Sequence, residues 1–220
     1  MWKNVFNFLS FEGFPSRDFV TYSSLVLFVA NVISLIASIA AIAAKWNWGI
    51  TPGALALWGF SEGLLLTAAA AFLVVLIKWN VFLRKAQKEV VKKYSQRTSD
   101  ITEILEKSDQ TMFAFGVAGT VAGLILSFFF PFTFLIMLAG TSFAVYSLFK
   151  NLKECEQKEY EVVHSMEENE KAPEKIFTCE WDTNVLILMI ASLFGYWVLH
   201  CSECSQKIES FVEQRLRTDS

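Results

Sequence analysis

Glu62 is the residue of this sequence whose position most clearly suggests chemistry, because it is the only charged side chain between Gly49 and Ile77. A helix over this run is long enough to cross a hydrocarbon core of about 30 Å, and it places Glu62 about 18 Å inside. Burying an ionised side chain at that depth is costly. We therefore expect Glu62 to be protonated, paired, or turned towards a helix bundle or a water-filled cavity.

A polar stripe runs along the preceding hydrophobic segment, residues 20–44, because serine and asparagine recur there at helical spacing. Small residues on such a stripe let helices approach closely, and an asparagine can bond across the contact. Counted from the short turn between the two segments, Asn31 and Glu62 fall at the same depth. The sequence thus predicts one intramembrane polar pocket, and both a packing role and a transport or proton-relay role for Glu62 stay open. Its predicted members are Glu62, Asn31, Ser34 and Ser38.

Glycines spaced four residues apart indicate close helix neighbours. One such pair flanks Glu62. In a later hydrophobic block, residues 112–149, the first arm contains a second pair at this spacing and the second arm has Gly140 with Ala144 four residues later. We predict that these glycines form helix-packing surfaces. They are Gly59, Gly63, Gly116, Gly119, Gly123 and Gly140.

The fragment from Phe115 to Gly123 reads Phe-Gly-Val-Ala-Gly-Thr-Val-Ala-Gly. It resembles the glycine-threonine pore helix of the MotA, TolQ and ExbB ion-channel family. That family has a substantial loop where this chain has a single proline turn, so the resemblance assigns no family to the chain. It implies ion conduction as an alternative function.

Cys201 and Cys204 have CxxC spacing, which is compatible with a disulfide in an oxidising compartment, with two free thiols, or with half of a redox site. Zinc requires further ligands, and only His200 is adjacent, so we predict no metal site and no cofactor. In a topology of five membrane crossings with the N-terminus inside, Cys155 and Cys179 lie on the opposite side of the membrane from this pair.

Sequence signatures of the common enzyme classes are missing, including the Walker loop, the dinucleotide fingerprint, HExxH and the serine-hydrolase elbow. The polar segments are too short for an independent catalytic domain. We therefore expect no enzyme and no nucleic-acid partner.

Composition indicates the elements that position these residues. The chain has 220 residues, of which 54% are hydrophobic, with 21 Phe and 7 Trp, and this exceeds the apolar content of soluble domains. We predict an all-α, polytopic helical membrane protein with four to five transmembrane helices: two hairpins, a C-terminal span and charged amphipathic cytoplasmic helices. The predicted segments are an N-terminal interfacial segment (1–19), a first transmembrane hairpin (20–77), a basic helical loop (78–111), a second transmembrane or re-entrant hairpin (112–149), an acidic loop (150–183), a last transmembrane helix (184–201) and a polar tail (202–220).

Basic residues predict the orientation. With the N-terminus inside, fifteen of the 19 Lys and Arg residues lie on the internal side, which favours a cytoplasmic N-terminus and, for five crossings, an external C-terminus. Six of these residues form either a membrane-surface patch that favours an anionic leaflet or an ordinary solvated flank. They are Arg84, Lys85, Lys88, Lys92, Lys93 and Arg97.

Together these observations favour a non-enzymatic integral membrane subunit or scaffold that lies in the lipid bilayer and assembles with other membrane proteins or with itself. The alternative is an oligomeric ion or proton channel or transporter component that uses Glu62. A third hypothesis is a membrane-shaping protein that acts through its Phe-rich hairpin.

Overall fold

The computed structural model describes residues 13–47, 52–94, 110–130, 132–165 and 183–216. Within these ranges the chain forms helices and no β-strand. Four helices are long and apolar enough to cross a membrane, so the prediction of an all-α, multi-pass integral membrane protein is confirmed. The helices are α1 (Arg17–Asn47), α2 (Pro52–Tyr94), α3 (Gln110–Ser127), α4 (Phe134–Ser165), α5 (Thr183–Ala191) and α6 (Gly195–Leu216); the four candidate spans are in α1 to α4.

Local sequence signals account for the residues at which the first two helices begin. The Ser16 hydroxyl accepts a hydrogen bond from the Phe19 amide at 3.4 Å, as an N-cap residue does, and Asp18 stands in the first turn of α1. Pro52 is the first residue of α2, where a missing amide hydrogen costs nothing. The two helices then pack against each other as the first hairpin.

The second hairpin, α3 with α4, is packed backbone to backbone through glycine. A Cβ atom added to Gly116 would lie 2.6 Å from the Ala144 backbone nitrogen, one on Gly123 would collide with the Met137 backbone, and one on Gly140 would collide with the backbone of α3. The Thr120 and Thr141 hydroxyls bond across the same contact at 3.2 Å. These glycines therefore let the two arms approach more closely than any larger residue would allow.

The two ends of the bundle are defined by contacts between helices. We call the end where α1 begins the base: Arg17 pairs there with Glu209 of α6 at 3.2 Å, and the Phe14 ring packs on Phe82. We call the other end the top: the turn between α3 and α4 lies there, and the Phe132 amide donates to the Ser38 hydroxyl at 3.4 Å. Phe128, Phe129 and Phe130 are exposed at this turn.

A layer of aromatic rings crosses the bundle between the top and the base. The Trp197 ring lies within 6.2 Å, between centroids, of each of its four neighbours, and its indole nitrogen donates to Ser24 at 2.9 Å. All five rings are at most 1% exposed. The aromatic layer therefore joins α1, α2, α4 and α6 in one core, and it consists of Phe72, Trp79, Phe149, Phe194 and Trp197.

The predicted last span, residues 184–201, is divided between α5 and α6. The Phe194 amide bonds to the Met189 carbonyl and the Leu193 amide to the Ile190 carbonyl, which is the Schellman pattern of a helix end. Leu193 and Phe194 both have positive φ, at 53° and 78°. Neither α5 nor α6 is among the four candidate spans.

Helix α6 returns to the base, which corrects the predicted topology. Glu209 contacts Arg17 at the start of α1, and Arg215 contacts Glu159 near the end of α4. The prediction that the C-terminal tail lies across the membrane from the N-terminus is therefore wrong. The physical reason is that the apolar residues of this region are buried against protein, including Met189, Phe194, Trp197 and Cys201, each at 0% exposure.

Two of the spanning helices continue past the aromatic layer towards the base. The charged second half of α2 packs there against α6, whose buried residues recur at helical spacing. The charged half of α4 is joined to α6 by the ion pair between Glu159 and Arg215. Lys78, near the aromatic layer, is 1% exposed and donates to the Gly13 carbonyl at 3.4 Å. The later basic side chains of α2 point outwards: Arg84, Lys85, Lys88, Lys92 and Lys93 are exposed. Arg97 and residues 1–12 of the predicted interfacial segment lie outside the described residues.

Candidate functional site

Glu62 lies in the upper half of α2 and is 3% exposed. The indole nitrogen of Trp58, one helical turn earlier, donates to its Oε1 atom at 3.2 Å. The helix alone dictates this contact, because residues four apart share a face. The spacing of Trp58 and Glu62 is visible in the sequence, although Trp58 was not among the predicted site residues.

Ser127, the last residue of α3, brings a second polar group to the carboxyl. Its hydroxyl donates to the Leu124 carbonyl at 2.8 Å, so its single hydrogen is already engaged. The Oε2 atom of Glu62 accordingly has no hydrogen-bond partner among the described residues. No sequence signal predicts Ser127, because only the packing of α3 on α2 brings it to Glu62.

The polar stripe of α1 faces the interior along its whole length. Ser24, Asn31, Ser34 and Ser38 are each at most 1% exposed. Ser24 bonds to Trp197 at the aromatic layer, and Ser38 bonds to the turn at the top. Between them, both amide atoms of Asn31 and the Ser34 hydroxyl have no hydrogen-bond partner in the described part of the chain.

Counting residues along α1 and α2 places Asn31 and Glu62 at different levels in the bundle. Because α1 continues to Asn47 and α2 begins at Pro52, Asn31 lies about 24 Å from the end of its helix and Glu62 about 15 Å from the start of its own. Ser38, about 14 Å from the end of α1, is closer in level to Glu62. No hydrogen bond joins Asn31 to Glu62 in the described ranges, and the shared pocket stays a prediction.

The predicted packing glycines fall into two groups. Gly116, Gly123 and Gly140 stand at backbone contacts, and Gly119 faces Gly140 at 3.3 Å. Among the described residues, no atom of another element lies within 4 Å of a Cβ added to Gly59 or Gly63. This second pair therefore lies on an open face of α2.

A buried ion pair at the base was not predicted from the sequence. The Arg215 Nε atom donates to Glu159 Oε2 at 2.8 Å, and its Nη1 atom donates to the Phe211 carbonyl at 3.3 Å. The guanidinium also stacks on the Phe211 ring at 3.6 Å. Both charged side chains are only 5% exposed, so the pair holds the end of α6 against α4.

The CxxC cysteines form no disulfide. Cys201 and Cys204 are not joined in a disulfide, and both are buried on α6. The Cys201 thiol donates to the Val198 carbonyl at 3.2 Å. Of the alternatives that the CxxC spacing allows, the structure therefore does not contain the disulfide, because the two residues lie three apart within one regular helix and belong to its packed face. Cys155 lies in the same apolar core, and Cys179 lies outside the described residues.

Within the described residues, no three His, Cys, Asp or Glu side chains come together in a group that could hold a metal ion. Comparison with protein-family models, with curated proteins and with solved structures finds no match for this chain.

Proposed function

We propose that the protein is a non-enzymatic integral membrane subunit that assembles with partner membrane proteins or with copies of itself. One observation carries this proposal: in the described part of the chain, no neighbouring element lies within 4 Å of a Cβ added to Gly59 or Gly63. The other GxxxG glycines of the chain, on α3, are at contacts with α4. The GxxxG motif favours close approach of helices. In this chain one GxxxG pair lies at a contact between α3 and α4, and the other lies on an outward-facing surface of α2.

The open face of α2 has the composition of a helix interface. Its residues repeat at alternating intervals of three and four, which is the spacing of a packing seam. Small residues alternate on it with Phe60 and Leu66, which are 65% and 44% exposed. All of its members are exposed in the chain: Ala56, Gly59, Phe60, Gly63, Leu66, Thr67 and Ala70.

A second surface for assembly lies at the base. The exposed side chains of Arg84, Lys85 and Lys88 extend from α2 beyond the aromatic layer. Charges at such a position favour acidic partners or an anionic leaflet. In this proposal the open face of α2 supplies contact within the bilayer, and the charged helices at the base select partners outside it.

Crosslinking in native membranes tests the role of the open face. We expect Leu66→Cys to crosslink to a second protein or copy, whereas Ile36→Cys, on α1 and 57% exposed, does not. Gly63→Leu should weaken the Leu66→Cys crosslink without unfolding the chain, because nothing lies within 4 Å of that position. Equal crosslinking at Leu66 and Ile36, or no effect of Gly63→Leu, would contradict the proposal.

A second candidate function is a proton or cation transport component. It is favoured by Glu62, whose Oε2 atom is buried without a partner, since intramembrane ionisable residues commonly mark ion pathways. Proton flux into liposomes is the test, with Glu62→Gln compared with the unchanged protein. Transport that disappears with Glu62→Gln supports this candidate, and tolerance of the substitution supports a packing role.

A further inference from the structure

We propose that the polar residues between α1, α2 and α3 bind a row of ordered water molecules that enters from the top of the bundle and ends at the aromatic layer. We call these residues the polar track: Asn31, Ser34, Ser38, Ser127 and Glu62. This inference does not depend on the proposed assembly function, because it concerns the interior of a single chain.

The α3–α4 turn adjoins both parts of the polar track. Asn31, Ser34 and Ser38 are three and four residues apart, so they occupy successive turns on one face of α1. Ser38 accepts a hydrogen bond from Phe132 at the α3–α4 turn. That turn begins directly after Ser127, which lies beside the Glu62 carboxyl.

Among the described residues, eight buried side-chain atoms have no hydrogen-bond partner, and four of them belong to the polar track; the others are the Trp79 indole nitrogen and the hydroxyls of Ser142, Ser147 and Ser205. The four in the polar track are the ones that lie close together along α1 and at Glu62. The Asn31 amide nitrogen and oxygen, the Ser34 hydroxyl and Glu62 Oε2 are buried without partners, although native interiors pair nearly all such atoms with protein or with ordered water. Ser24, Ser61, Thr67 and Thr120 satisfy their hydroxyls by bonding to a carbonyl on the preceding turn. Ser34 does not, which indicates that its partner is something other than its own helix.

The chemistry of these atoms selects water over a cation. A bound cation would satisfy oxygen atoms only and would leave the Asn31 Nδ2 donor unpaired. Water can act as donor and as acceptor: one molecule can donate to Asn31 Oδ1, another can accept from Asn31 Nδ2, and another can donate to Glu62 Oε2. The separation in level between Asn31 and Glu62 also exceeds what one ion can bridge, whereas several waters in a row can connect them.

The aromatic layer closes the track towards the base. Its five rings are at most 1% exposed and pack against one another. At the top, Ser38 and Ser127 adjoin a turn whose Phe128–Phe130 side chains are exposed. Water at Oε2 would therefore let Glu62 exchange a proton with the top side of the membrane and not with the base.

Water-edited solid-state NMR on the full chain in bilayers tests occupancy. The Asn31 side-chain signal is identified by its loss in Asn31→Leu. We expect magnetisation to pass from water to Asn31 Nδ2 about as fast as to the exposed Asn184, and at least tenfold faster than to the Trp197 indole in the aromatic layer. Transfer to Asn31 as slow as to Trp197 would overturn the proposal. So would a fall in transfer when sodium or potassium chloride is added, because it would show a cation in place of water.

Cysteine labelling tests the direction of entry. In sealed vesicles, a membrane-impermeant thiol reagent should modify Ser38→Cys from the top side at least tenfold faster than Ala37→Cys, a buried neighbour off the polar stripe. The unchanged protein measures labelling of the native cysteines. Labelling of Ser38→Cys from the base side, or equal rates for the two variants, would refute entry from the top.

Discussion

Neutralising one partner of the buried ion pair at the base should release α6 from the bundle. Glu159→Gln keeps the size of the side chain but removes the carboxylate charge that pairs with the buried Arg215 guanidinium. In the native chain this guanidinium makes hydrogen bonds to Glu159 and to the Phe211 carbonyl, and both charged side chains are 5% exposed. Removing one member of such a pair typically costs about 3–5 kcal/mol.

That cost converts into a measurable change in the population of undocked α6. Because about 1.4 kcal/mol corresponds to a factor of ten, the undocked fraction should rise by roughly two to four orders of magnitude. Trypsin cleavage after Lys207 reports this fraction, because a docked helix resists proteolysis and an undocked one does not. The rate of this cleavage in detergent or nanodiscs is therefore the assay.

The exposed ion pair between Arg17 and Glu209 supplies the matched control. Its side chains are 47% and 38% exposed, so Glu209→Gln should cost only about 0–1 kcal/mol. The double variant Glu159→Met with Arg215→Met should cleave more slowly than Glu159→Gln, since no unpaired charge remains. The reasoning is refuted if Glu159→Gln accelerates cleavage no more than Glu209→Gln, or if the double variant is the least stable of the set.

Four further substitutions separate packing, surface and polar-track positions, each measured by thermal unfolding in detergent. Gly123→Ala should destabilise the fold by about 1–3 kcal/mol or more, because its Cβ collides with Met137. Gly63→Ala should change the stability by no more than about 0.5 kcal/mol. Equal losses of stability in the two variants would contradict the assigned helix contacts. Trp197→Ala should cost about 3–5 kcal/mol because it opens the aromatic layer, and a cost under about 1 kcal/mol would show that the layer is not part of the core. Asn31→Leu should destabilise by about 1–3 kcal/mol if water bridges its amide, because the remaining polar atoms lose a partner, whereas stabilisation would indicate a dry site.

Local patterns in the sequence predict the class of the protein and the helices that can cross the membrane. Apolar runs of sufficient length predict α1 and α2, and the two arms of residues 112–149 correspond to α3 and α4. The burial of Glu62 and of the α1 stripe also follows from such patterns, because a polar side chain is costly against lipid and is turned inwards. These properties depend on spacing along a single helix, which the sequence contains directly.

Only the tertiary structure decided which helices meet and at which end of the bundle α6 ends. Hydropathy cannot distinguish a segment buried in lipid from one buried in protein, and residues 184–201 are divided by the turn at Leu193 and Phe194. The same limit explains why one GxxxG pair faces a neighbouring helix and the other an open surface. Ser127 beside Glu62 and Arg215 beside Glu159 are far apart in sequence from their partners. Such contacts arise from the packing of whole helices, and no local spacing specifies them.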